Sequence, residues 1–73
     1  MSPEKLAYMA NQIGKFFAHQ PHDAAVAAIA DHILKFWDPR MRRDFLSHLE
    51  AVQLDPLVRE AARTLKAPTA SAD

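Results

Sequence analysis

Cysteine is absent from the 73 residues, which excludes disulfide staples and thiolate metal sites as supports for the fold. Glycine occurs once, at Gly14, and β-branched residues fall mostly inside periodic apolar runs, so hairpin and strand signals are almost missing. No apolar run approaches the roughly 18 residues that a membrane-spanning helix needs. The amino terminus lacks the basic, apolar, small-residue order of a signal peptide, and the expected location is therefore the cytoplasm. Nor is one sign of charge in excess: nine Lys and Arg balance nine Asp and Glu. No net field draws the chain toward nucleic acid or an anionic bilayer.

What remains is helix-forming material. Apolar residues make up 49% of the chain and charged residues 25%, a balance that suits a folded globular domain and is too hydrophobic for disorder. A chain this short holds one marginally stable core, steadied by helix packing or by a partner. The expected organisation is one helical domain over residues 1–66, with a flexible tail over residues 67–73, where Pro, Thr, Ser and Ala replace the periodic pattern.

Helical periodicity places Leu6, Met9, Ala10, Ile13, Phe16 and Phe17 on one face of a first helix, over about residues 3 to 19. Ser2 is positioned to cap it, and Pro3 suits its first turn because a proline there loses no hydrogen bond. Gly14 lies inside this pattern at a cost of up to about 1 kcal/mol, which points to close approach by another helix. A second helix, over about residues 23 to 37, gathers Val26, Ile29, Ala30, Ile33, Phe36 and Trp37 on one face. Asp38-Pro39 and Asp55-Pro56 repeat the cap-then-proline pattern of Ser2-Pro3. They start a third helix with Met41, Phe45, Leu49 and Val52 on one side, and a short fourth with Leu57, Val58, Ala61 and Leu65. The fold class is all-α, a small bundle or orthogonal array of three to four short helices.

No catalytic set emerges. His19 and His22 are three residues apart, but Pro21 and a helix end separate them, and no histidine pair has the HExxH arrangement of a zinc helix. His32 and His48 flank apolar faces, where a histidine is ordinarily a partner at the edge of a core. Arg40, Arg42 and Arg43 form no continuous basic stripe, because Arg42 turns toward the apolar side and Asp44 and Glu50 dilute the outward face. The chain is accordingly expected to be non-catalytic, with no cofactor or metal site of its own.

The aromatic residues carry the functional signal. Phe16 with Phe17, and Phe36 with Trp37, stand at opposite edges of their apolar stripes. For any one of them, core packing is the ordinary reading. Together they make stripes wider than one neighbouring helix can cover. Trp, Tyr and Arg are also the residue types that most often anchor interfaces. The candidate partner-docking residues are thus Tyr8, Phe16, Phe17, Phe36, Trp37, Arg40 and Met41.

Two longer segments, MANQIGKFF at residues 9–17 and IADHILKFWDPRM at residues 29–41, resemble the delta subunit of the NAD-dependent molybdenum formate dehydrogenases of the cytoplasm. The resemblance covers roughly the first 45 residues. It implies an accessory subunit without a cofactor of its own, acting in assembly, cofactor insertion or stability. The partner implied first is an alpha subunit carrying a molybdenum cofactor and iron–sulfur clusters. Beta and gamma subunits would carry FMN, further clusters and the NAD site. Two other classes fit the residues alone: a helical protein that self-associates through the same patch, and a small nucleic-acid binder using Arg40, Arg42, Arg43, Arg59 and Arg63.

Overall fold

The computed structural model describes residues 2–66, so the expected tail at 67–73 lies outside the described residues. Four helices follow one another: α1 (Pro3–Phe17), α2 (His22–Phe36), α3 (Pro39–Ser47) and α4 (Pro56–Lys66), with a single 3₁₀ turn at Leu49–Ala51 between α3 and α4. The described residues contain no strand, and the all-α class holds. Two of the three anticipated caps are made by side chains. Ser2 Oγ accepts the Lys5 N–H at 3.1 Å, and Asp38 Oδ1 accepts the Met41 N–H at 2.9 Å. Each satisfies one of the amides that the first turn of a helix leaves without a partner.

The third helix is shorter than its apolar periodicity predicts. A continuing helix would bond the His48 N–H to the Asp44 carbonyl, but Ser47 Oγ donates to that oxygen at 3.0 Å and His48 Nδ1 at 2.8 Å. The His48 N–H turns instead to Phe45, three residues back, at 3.2 Å. Side chains that compete for backbone acceptors end helices in this way. The 3₁₀ turn that follows still buries Leu49, and Val52 is buried just beyond it.

Leu6, Ile29, Ile33, Phe45 and Val58 are the largest fully buried side chains, so every α-helix contributes to one core. α2 packs most extensively on α4, and α1 touches all three other helices. At the α1–α4 crossing the single glycine is required: a Cβ on Gly14 would run into Val58 Cγ2. This close approach rotates α1 away from its expected orientation. Its buried side is Leu6, Ala7, Ala10 and Gly14, while Met9, Ile13 and Phe17 are only partly covered and Phe16 is 71% exposed. Small residues let two helix backbones come together; the larger apolar residues are left at the rim.

Polar contacts then fix the connections. The Arg42 guanidinium donates from Nη1 to the carbonyls of Leu34 at 3.2 Å and Trp37 at 2.6 Å. It thereby serves the end of α2, where carbonyls lack helical partners and the dipole is negative. Arg59 does likewise for the 3₁₀ turn, donating to Leu49 O at 3.2 Å and Val52 O at 3.3 Å. Asn11 on α1 clasps the next segment, giving Nδ2–H to Gln53 O at 3.2 Å and accepting the Asp55 N–H at 3.0 Å.

Candidate docking surface

The rotation of α1 and the crossing of α2 bring four rings into a row. Phe16 meets Phe17 edge to face with ring centres 5.0 Å apart, Phe17 reaches His32 at 6.2 Å, and His32 lies against Phe36 at 4.7 Å. His32 and Phe36 are four residues apart on α2, so they share a face by helix geometry alone. Phe17 joins them only through the packing of α1 on α2. Phe16 and Phe36, at the two ends of the row, are 71% and 72% exposed. An apolar surface of this kind, held by ring contacts and left in water, is the type of feature that marks interaction sites.

His32 is absent from the residues expected at the surface patch, and it is the ring that links the two helices. The i, i+4 spacing to Phe36 was available in the sequence; the cross-helix contact to Phe17 was not. The His32 ring nitrogens have no hydrogen-bond partner among the described residues, so this aromatic row also offers a polar atom at its centre.

The other expected anchors separate. Trp37 is 5% exposed and packs edge to face on Phe45 at 5.3 Å, so it belongs to the core rather than to the surface. Its backbone takes an extended conformation at the end of α2, which swings the indole under α3 while Phe36 remains outside. Met41 is half-buried against the same core. Arg40 is exposed and forms no ion pair or hydrogen bond with another described residue. Tyr8 is 64% exposed but sits about two turns before the aromatic row on α1, in a separate groove.

Electrostatics contribute at a different place. His22 Nε2 donates to Glu60 Oε1 at 2.9 Å, joining the start of α2 to α4 across solvent-exposed side chains. That hydrogen bond and the Glu60 charge raise the His22 pKa above its ordinary value of 6.5. Of the arginines considered for phosphate binding, Arg42 and Arg59 are committed to backbone carbonyls. The described residues bring no three His, Cys, Asp or Glu side chains together as a metal-binding group. No described helix is long and apolar enough to cross a membrane.

Neither a curated protein nor a solved structure matches the chain. One family model does, over residues 5–62: the NADH-dependent formate dehydrogenase delta subunit, FdsD. The match continues past residue 45, where the motif resemblance stops, through α3 and most of α4.

Proposed function

Because this chain belongs to the delta-subunit family of the NADH-dependent formate dehydrogenases, we propose that it is a non-catalytic accessory subunit that docks through the row Phe16, Phe17, His32 and Phe36. The observation that carries this reading is the exposure of two phenylalanines locked into one row in a protein whose family is a subunit family. The partner is the large alpha subunit, and the role is to support its assembly, its stability or the loading of its cofactor. Arg40 supplies a cation able to pair with a carboxylate or stack on a ring of that subunit.

The chemistry of the complex belongs to the partners in this reading. The molybdenum cofactor, iron–sulfur clusters, FMN and NAD would be bound there. This chain has no cysteine with which to ligate an iron–sulfur cluster. The working compartment is the cytoplasm.

Area separates docking from self-association. A phenylalanine presents roughly 200 Å², so the outer rings offer roughly 140 Å² each. With the edges of Phe17 and His32, the row falls at about half of the ~800 Å² per partner that a stable interface buries. Two copies meeting through the row alone would bury too little surface, whereas a larger partner can cover the row together with its flanks.

Co-purification tests the reading. The chain, isolated from its native cytoplasm under mild conditions, is expected to bring down a molybdenum-containing large subunit. Deleting the chain is expected to lower the molybdenum content or recovery of that subunit. Isolation alone, together with an unchanged metal content on deletion, would contradict the assignment.

A further inference from the structure

α1 also lines a groove of about 340 Å³ that the aromatic row does not enter. Glu4, Tyr8 and Asn11 form one wall; the chain beyond the 3₁₀ turn forms the other with Val52 and Gln53. Ala7 and Val52 are buried and give the groove an apolar floor. Glu4 and Tyr8 are four residues apart, so the carboxylate and the phenol ring stand side by side on the same helix face.

Two features narrow what this groove can hold. Glu4 is the only charged residue in its lining, and it makes no ion pair with another described residue. The far wall is fixed without any ligand, because the Asn11 clasp ties Gln53 and Asp55 to α1. A preformed cleft loses less conformational freedom on binding than one that must be ordered. An anionic or apolar occupant would desolvate the Glu4 carboxylate with only the amino-terminal end of the α1 dipole to offset the cost, and no cationic side chain among the described residues of the lining.

We infer that this groove receives an arginine side chain presented by a partner polypeptide. The guanidinium pairs with the Glu4 carboxylate and lies against the exposed Tyr8 ring, while its methylene stem crosses Ala7 and Val52. Arginine fits better than lysine because a planar fork can meet a carboxylate and stack on a ring at once, whereas an ammonium is a compact, strongly hydrated point charge. The Gln53 side chain offers an amide oxygen for a remaining N–H. The inference uses no residue of the aromatic row and stands apart from the docking reading. If both hold, the chain is gripped at two places, and two linked contacts bind more tightly than either alone.

The test uses the full chain, isotope-labelled, titrated at low salt with the capped tripeptide acetyl-Gly-Arg-Gly-amide and, separately, with its neutral citrulline counterpart. The expected result is saturable movement of the Tyr8, Asn11 and Gln53 resonances with the arginine peptide, and at least tenfold weaker binding of the citrulline peptide. Glu4→Gln is expected to weaken the arginine peptide at least fivefold, Tyr8→Leu to weaken it as well, and Phe16→Ser to leave it unchanged. Both groove side chains are exposed, so these variants keep their fold, and an unchanged far-ultraviolet spectrum verifies it. Absence of saturable movement, equal binding of the two peptides, or indifference to Glu4→Gln would overturn the inference.

Discussion

Trp37 closes the core at the turn between α2 and α3, and Phe36 beside it stands in water. The two side chains therefore answer differently to truncation. Trp37→Ala removes a ring packed on Phe45 and is expected to cost about 3–5 kcal/mol, as large-to-small core changes do. Phe16→Ser and Phe36→Ser remove exposed rings and are expected to stay within about 0.5 kcal/mol of the parent. Urea denaturation of the isolated chain distinguishes them, and a mild Trp37→Ala would move that ring out of the core. Gly14 gives a sharper case. Gly14→Ala gains up to about 1 kcal/mol of helix propensity but drives a methyl into Val58, which is fully buried. Overpacking costs typically about 1–3 kcal/mol, so net destabilisation is expected. Val58→Ala vacates the space, and the double variant should be more stable than the sum of the two single changes predicts. Additive changes would mean that the two residues do not meet.

At the scale of elements, short helices depend on how their ends are finished. Asp38→Ala strips the cap from α3 and is expected to cost about 1 kcal/mol. Arg42→Met leaves the Leu34 and Trp37 carbonyls to water and is expected to fray the last turn of α2, read as faster amide exchange there than in the centre of the helix. The His22–Glu60 pair adds a pH dependence. A histidine whose pKa is raised by folding contributes stability that is fully present below its unfolded value near 6.5. The contribution is lost as pH rises through the raised folded value. The Tm of the parent should therefore fall across that interval, the fall should shrink with added salt, and Glu60→Gln should remove it. A fall of equal size in Glu60→Gln would assign it to other groups.

For the whole molecule, what could be read in advance was what is local. Ser2-Pro3 and Asp38-Pro39 mark helix starts because capping involves only residues a few positions apart. Gly14 pointed to a close helix crossing because a glycine inside a helix needs a reason. The end of α3 was hidden because Ser47 and His48 compete for the Asp44 carbonyl from within an unbroken apolar pattern. The candidate site was half legible for a related reason. A wheel places Phe16, Phe17, Phe36 and Trp37 at the edges of stripes, but which edge turns inward depends on neighbours. Gly14 against Val58 sets the rotation of α1 and leaves Phe16 outside; Phe45 takes Trp37 inside. His32 gains its place in the row only when Phe17 arrives from another helix, and the Asn11 clasp spans more than forty positions of sequence.

The aromatic row is the proposed docking surface of a subunit, and its contribution is read from binding affinity. The large subunit proposed as partner, prepared without this chain, is titrated with the parent and with the Phe16→Ser/Phe36→Ser variant, whose Tm is measured alongside. The variant is expected to bind with a Kd at least tenfold weaker, a loss of about 1.4 kcal/mol or more, with the Tm essentially unchanged. Equal affinity of the two proteins would contradict it.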